Sequence, residues 1–263
     1  MSRKIHELIS LRSLQHIPYV FLSILKIKNW PLFLLNYIGI KNCSATYHLR
    51  NGLKIHAPEG VDASTVMVIF IKKDYGKIPN NAVIIDVGAN IGTFSLYAVQ
   101  SAKNISVYAY EPMPGTFKTL EENIKINKLQ KTIKPFKLGT AAKKETRELY
   151  LSPGSPFHSM YIDHLTSEKI SIKCIPLQEI FEKNKVKKCD LLKMDCEGAE
   201  FETLYNTPPK YLKKIKEIRL EYHNELGGNN VNDLIKFLEK NGFKLYKKKE
   251  DSTKNGNAWF VLN

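Results

Sequence analysis

Val83-Ile84-Ile85-Asp86-Val87-Gly88-Ala89-Asn90-Ile91-Gly92-Thr93-Phe94 is the stretch that decides the fold. Apolar and β-branched residues run into a sharp turn on Gly88 and Gly92, and a helix-compatible segment follows from Phe94 to Gln100. A buried strand, a glycine turn and a helix start, in that order, bring a nucleotide against backbone N–H groups. The spacing narrows which nucleotide. A dinucleotide fingerprint needs glycine at its first, third and sixth positions, and the sixth here is Thr93.

What stands instead is Asp86-x-Gly88-x-Asn90-x-Gly92, which resembles the first motif of class I methyltransferases that use S-adenosylmethionine (SAM). In those enzymes the tight turn lets the chain pass close under the methionine end of the cofactor. The resemblance implies SAM as cofactor and a Rossmann-like α/β fold.

The alternation of strands and helices beyond the turn is that of a mostly parallel sheet. Strands are expected at 82–87, 105–110, near 133–138, 190–194 and 218–222, and two more at about 243–249 and 257–262. These make seven, with helices at about 91–102, 114–127, 177–184, from near Ala199, and 231–241 between them. Asn241-Gly242 is a good helix stop. A more β-like insertion covers 146–175, looped by Pro153, Gly154 and Pro156. The fold class is therefore α/β, a seven-stranded mostly parallel sheet flanked by helices.

Upstream, Thr46 to His56 alternates around Asn51-Gly52, a hairpin signal with a two-residue turn. Val66 to Ile71 reads as a short helix or strand. The linker Lys77-Ile78-Pro79-Asn80-Asn81 divides the chain into a helical and hairpin extension, residues 1–80, and a catalytic domain, residues 81–263. Tyr19–Leu25 and Pro31–Leu35 are strongly apolar, yet Lys26, Lys28, Asn29 and Pro31 keep either run short of the ~20 residues that a spanning helix needs. No small-residue cleavage site follows, so a signal peptide is not expected. Residues 17–40 are read first as helices covering a domain end or a partner subunit, and second as a peripheral membrane segment.

The chain has 263 residues, 43% of them hydrophobic, enough for one α/β domain with an extension. The four cysteines, Cys43, Cys174, Cys189 and Cys196, have neither metal-ligand nor disulfide spacing, which suits reduced thiols in a cytoplasm. The net charge of +14 admits nucleic acid, acidic lipid or an anionic substrate as partner. Two of its lysine groups, Lys183, Lys185, Lys187, Lys188 and Lys210, Lys213, Lys214, Lys216, precede strands. They are expected at the amino ends of the sheet, away from the ligand crevice at its carboxyl ends.

Candidate cofactor residues are Asp86, Gly88, Asn90, Gly92 and Glu111. Glu111 ends the second strand, 19 residues beyond Gly92, where an acid accepts hydrogen bonds from both ribose hydroxyls. Asp86 is placed beside the cofactor's amino and sulfonium groups, or bonds the turn's own N–H groups. Asn90 either bonds the methionine carboxylate or tolerates a left-handed backbone.

The second cluster is Leu191-Leu192-Lys193-Met194-Asp195-Cys196-Glu197-Gly198-Ala199-Glu200. Here the chain resembles the FkbM family of SAM-dependent methyltransferases, whose hallmark reads Leu-Lys-Ile-Asp-Val-Glu-Gly-Ala-Glu. Met194 and Cys196 are the departures. Glu111-Pro112 and Glu221-Tyr222-His223 follow the family order, and the resemblance covers about 83–223. It implies O-methylation of a hydroxyl on a small molecule, sugar or glycan.

At the acceptor end, Asp195 or Glu197 is a candidate to orient a hydroxyl and take its proton, with His223 as an alternative base. Asp195, Glu197, Glu221 and His223 are also candidate ligands for a divalent cation that acidifies the hydroxyl. Glu200 either shares that work or caps and solvates the next helix. Lys193 is expected to pair with a sheet carboxylate such as Glu221. His158, in the segment Ser155–Tyr161, is read as a loop histidine before a catalyst, and His48 and His56 have no assigned role.

Two alternatives come from other classes. One is an N-methyltransferase on nucleic acid, suggested by Asn206-Thr207-Pro208-Pro209, which sits a helix beyond the strand tip. The carboxylates at that tip would repel phosphate. The other is an NAD-binding protein or cofactor-binding module, which the Thr93 position and the retained strand-end acids oppose.

Overall fold

The computed structural model describes residues 17–150, 169–224 and 228–263. They form two compact units, one ending at Lys77 and the other running from Ile78 to Asn263.

In the first unit, helices α1 (Ile17–Lys26) and α2 (Trp30–Tyr37) precede strands β1 (Ala45–His48) and β2 (Lys54–Ala57). Helix α3 (Asp62–Val66) continues into a π-helical turn at Met67–Lys72, which ends on Lys73 in the left-handed region (φ 59°). Phe33 and Tyr47 are fully buried and meet edge to face, their ring centroids 5.1 Å apart. The buried Asn36 amide donates to the Tyr47 hydroxyl at 2.9 Å and to the Cys43 carbonyl at 3.0 Å, so this small core satisfies its polar groups. The hairpin forms around Asn51-Gly52, but its loop has three residues. The Leu49 N–H donates to the Leu53 carbonyl and the Gly52 N–H to the Leu49 carbonyl. Gly52 adopts φ 97°, the left-handed residue that ends a three-residue hairpin loop. A bare Asn-Gly signal fits either turn, and the register His48 opposite Lys54 selects the longer one.

The second unit is built on a seven-stranded sheet. Its strands are β3 (Val83–Val87), β4 (Ser106–Tyr110), β5 (Ile133–Phe136), β9 (Leu191–Met194), β10 (Glu217–His223), β11 (Phe243–Glu250) and β12 (Asn255–Leu262). The spatial order is β11-β12-β10-β9-β3-β4-β5, and β12 alone runs against its neighbours. Strands β3 and β9 are central and covered on both faces, which is why they read as almost unbroken apolar runs. The edges look different. Strand β5 carries Pro135, which has no N–H to offer a further strand, and β11 carries Lys247, Lys248 and Lys249.

Helices α4 (Thr93–Ser101), α5 (Pro114–Ile126), α6 (Leu177–Lys183), α7 (Ala199–Tyr205), α8 (Pro209–Leu212) and α9 (Val231–Lys240) connect the strands. Ile85, Leu192, Met194, Phe201, Leu220, Leu234 and Phe260 lie in one buried core. A smaller sheet, ordered β6-β8-β7, joins β6 (Gly139–Thr140), β7 (Glu145–Tyr150) and β8 (Lys169–Ile175). Arg147 on β7 grips Glu202 on α7 with two N–H···O bonds of 2.7 and 2.6 Å, and thereby ties this sheet to the domain. The loop marked by Pro153, Gly154 and Pro156, with Ser155–Tyr161 and His158, lies outside the described residues.

From β3 the chain steps outward to β4 and β5, then returns to β9 on the other side of β3. The crevice outside the carboxyl ends of β3 and β9 is thus the switch point where ligands of such sheets bind. The lysine groups before β9 and β10 lie at the opposite, amino ends of those strands.

Candidate active site

The glycine turn is held from two sides. The N–H groups of Gly88 and Ala89 both donate to the Tyr110 carbonyl, at 3.0 and 2.9 Å. Gly88 adopts φ 72°, and a Cβ there would lie 1.7 Å from the Asp195 carbonyl oxygen. No side chain fits at that point. Asn90 also has a left-handed backbone, φ 51°, and its side-chain oxygen accepts the Ile91 N–H at 2.6 Å. Gly92 precedes α4 with φ 88°, close against Leu120. Thr93 opens α4, and its buried hydroxyl has no hydrogen-bond partner among the described residues.

Glu111 lies at the carboxyl end of β4, turned into the crevice side of this turn. One carboxylate oxygen accepts the Asn90 N–H and the other the Met113 N–H, each at 2.9 Å. Burial pushes its pKa up to about 7, with the two backbone N–H groups holding it lower than burial alone would. Each oxygen keeps a lone pair for a further donor.

Asp86 is completely buried. It accepts the Ser95 hydroxyl at 2.7 Å and lies 3.4 Å from the Lys193 ammonium. Lys193 also donates to the Gly88 carbonyl at 2.7 Å and approaches Asp195 at 3.7 Å. Its expected partner was Glu221, and the register explains the difference. Lys193 stands beside Asp86 on β3 and beside Arg219 on β10, whereas Glu221 is two residues further along. Burial works to lower the Lys193 pKa, but the charges of Asp86 and Asp195 outweigh it and raise the value.

At the carboxyl ends of β9 and β10, ligand atoms of Asp195, Glu197 and His223 all lie within 4.8 Å of one another. His223 ends β10 and stands between two acids, its Nε2 3.4 Å from Glu197 and its Nδ1 3.3 Å from Glu200. The Nδ1 contact is close enough for an ion pair but lacks hydrogen-bond alignment. Glu200 is fully buried, and it accepts the N–H groups of Cys196 at 2.7 Å and Gly198 at 2.8 Å. It therefore caps the turn into α7 from inside, without solvent. That turn carries Glu197 and Gly198 at φ 52° and 102°.

The charges here are strongly perturbed. Burial would lower the His223 pKa, yet Glu200, Glu197 and Asp195 together raise it to about 10. Burial raises Glu197 to about 7, with His223 opposing. Burial and then the Asp195 charge raise Glu221 to about 8. The two carboxylates and one imidazole of Asp195, Glu197 and His223 are a donor set that suits a divalent ion, though such an ion would have to displace the proton on His223. Glu221 is not one of those three.

Sequence reasoning named the strand-end residues brought together here, but missed the Ser95 hydroxyl on Asp86, the buried Thr93 hydroxyl, the span of Lys193 across the sheet and the way Glu200 backs His223. A signal for the Lys193 span was present. A lysine inside the run Leu191-Leu192-Lys193-Met194 requires a buried counter-ion. Asn206-Thr207-Pro208-Pro209 is a helix-to-helix turn. The Asn206 amide donates to the Glu202 carbonyl and the buried Thr207 hydroxyl to the Thr203 carbonyl, so both side chains are engaged in closing α7.

Residues 86–245, more than half of the chain, match the family described as the methyltransferase FkbM domain. Methyltransferase sdnD of Sordaria araneosa is 24% identical over 178 residues, covering 56% of this chain and 69% of that protein. Hexuronic acid methyltransferase AglP of Haloferax volcanii is 30% identical over 157 residues, covering 59% of this chain and 61% of that protein. Among solved structures, the tRNA m1G37 methyltransferase of M. jannaschii overlaps 85% of this chain and 58% of its own at a TM-score of 0.47 and 17% identity.

Proposed function

Since the chain belongs to the FkbM family of SAM-dependent methyltransferases, we propose that it methylates the oxygen of a hydroxyl group on a small molecule, sugar or glycan. The observation that carries this reading is the meeting of Asp195, Glu197 and His223 within 4.8 Å at the carboxyl ends of β9 and β10. A weakly acidic alcohol needs a carboxylate to orient it and remove its proton, and two stand here. AglP supports a sugar acceptor by its relation to this chain.

When bound, SAM supplies an electrophilic methyl group on a positively charged sulfur. The chain's residues divide the rest. Gly88 and Gly92 keep the floor of the cofactor site free of side chains, and Asn90 holds the turn between them. Glu111 offers its two free lone pairs to the ribose hydroxyls, and the Thr93 hydroxyl is an unused donor at the start of α4. Asp86 acts from below, through Lys193, on the shape of the turn.

On the acceptor side the substrate hydroxyl would be held by Asp195 or Glu197, and its proton would pass to that carboxylate oxygen as the hydroxyl oxygen takes the methyl group and the methyl–sulfur bond breaks, leaving neutral S-adenosylhomocysteine. Glu200, Glu197 and Asp195 raise the His223 pKa, which favours a protonated imidazole that positions Glu197, with Asp195 or Glu197 as the base. Burial and the Asp195 charge raise the Glu221 pKa, which favours its protonated form beside Asp195, Glu197 and His223. The carboxylates make this crevice a poor host for nucleic-acid phosphates, which argues against the base-methylating alternative.

The test is two-part. Calorimetry with SAM and NAD should give saturable binding of SAM only, weakened in Glu111→Ala. The protein with SAM should then release S-adenosylhomocysteine on mixing with hydroxylated small molecules or glycans, and none with tRNA. Turnover with tRNA alone would overturn the acceptor assignment.

A further inference from the structure

Helix α1 of the first unit is mostly apolar, and among the described residues one of its faces is covered and the other is not. The covered face is well defined. Ser23 is fully buried, its hydroxyl bonded to the Tyr19 carbonyl at 2.7 Å, and Lys72 reaches over the Tyr19 ring. On the other face Ile17, Phe21 and Leu25 are 53%, 67% and 63% exposed. Successive members are four residues apart, so they form one row along the helix. Exposed Lys28 follows the row three residues later. Ile38 and Ile40, after α2, are exposed as well. Large apolar side chains aligned on a surface are uncommon unless something covers them.

The surrounding charge says what. Between residues 17 and 77 there are eight lysines and arginines against three acids. One of those acids, Asp62, is buried and has its pKa raised by burial to about 6. Arg50 is exposed and is held beside the row, its guanidinium donating to the Ile24 carbonyl at 3.3 Å. Lys41 is exposed next to Ile40. An apolar row edged by cations matches a surface that is oily inside and negative outside. No helix among the described residues is long and apolar enough to cross such a layer, and the row on α1 is suited to lie in its plane.

We infer that α1 docks the protein on an anionic lipid surface, with Ile17, Phe21 and Leu25 inserted among the acyl chains and Lys28, Arg50 and Lys41 at the phosphates. All of these residues belong to the unit that ends at Lys77.

Co-sedimentation of the full chain with vesicles tests this directly. Vesicles of phosphatidylcholine with about one-third phosphatidylglycerol should carry down most of the protein, and pure phosphatidylcholine much less, as expected when apolar insertion and charge act together. Half-molar salt should weaken the binding. The double variant Phe21→Gln, Leu25→Gln should bind at least tenfold more weakly, while Arg50→Gln should lower binding to anionic vesicles only. The Gln pair replaces exposed side chains, so its thermal midpoint should match that of the parent chain. No binding to either vesicle, or equal binding of parent and Gln pair, would overturn the proposal. So would a dimer of the parent chain that becomes a monomer in the Gln pair, because the row would then be covered by a second copy.

Discussion

The ammonium of Lys193 lies 2.7 Å from the carbonyl oxygen of Gly88, and through this bond strand β9 holds the cofactor turn that follows β3. The same ammonium faces Asp86 at 3.4 Å and Asp195 at 3.7 Å, so one buried cation serves the turn, the strand below it and the acceptor carboxylate.

Removing that cation should be costly. Lys193→Met leaves Asp86 buried and without its counter-charge, a loss of about 3–5 kcal/mol of stability in urea unfolding. The double variant Lys193→Met, Asp86→Asn should recover part of that loss, because the stranded charge goes with its partner. If the double variant is as unstable as the sum of the two single changes, the two groups are not coupled.

Gly88→Ala should abolish SAM binding or folding outright, since the added carbon would sit 1.7 Å from backbone that cannot move independently. Gly92→Ala should be milder. Its added carbon meets the flexible end of Leu120 at 2.6 Å, leaving mainly the cost of a left-handed backbone, about 1–2 kcal/mol. Thermal melts of both variants, with and without SAM, check the order.

In its proposed role on the ribose, Glu111 should link SAM affinity to pH. Its carboxyl is raised to about 7, so its ionised fraction grows from pH 6 to pH 8. A group that accepts two ribose hydroxyls works best ionised, and calorimetric affinity for SAM should rise over that interval. Glu111→Gln should bind more weakly and show a flatter profile.

His223 gives a stability profile with a definite sign. Its pKa is raised in the folded chain, from 6.5 to about 10, so its contribution is complete below pH 6.5 and fades as pH climbs towards 10. Glu197 and Glu221 are also raised, and they add a loss that begins lower, between about pH 4.5 and 8. The thermal midpoint of the free protein should therefore fall from pH 6.5 to pH 10. In His223→Gln the upper part of that fall should be shallower.

The sheet was legible because its central strands are buried on both faces and its turns are marked by glycine and proline. Val83–Val87 and Leu191–Met194 announce themselves as apolar runs, Gly88 directly follows the first, and Gly198 marks the start of the helix after the second. The candidate residues could be named from strand-end position alone, since every parallel strand delivers its last residues to the same edge. What could not be read was reach across strands. Lys193 pairs with Asp86, 107 positions away in the chain, only because β9 lies beside β3 with those two residues in register. The inward turn of Glu200 was hidden for a related reason. An acid at a helix start is ordinarily solvated, and only packing against His223 and two backbone N–H groups puts it inside. The hairpin loop was misjudged by one residue because Asn-Gly serves both loop lengths.

The near-contact of Gly88 with the Asp195 backbone has a consequence for altering this protein's selectivity. The glycine turn after β3 and the tip of β9 share a joint with no slack, so they cannot be exchanged as separate modules between relatives. A graft that replaces the β9 tip must carry the path of its main chain through Asp195 unchanged. Beyond Glu197 that constraint ends, and new acceptor preferences are best sought in side chains placed there or at the end of β10.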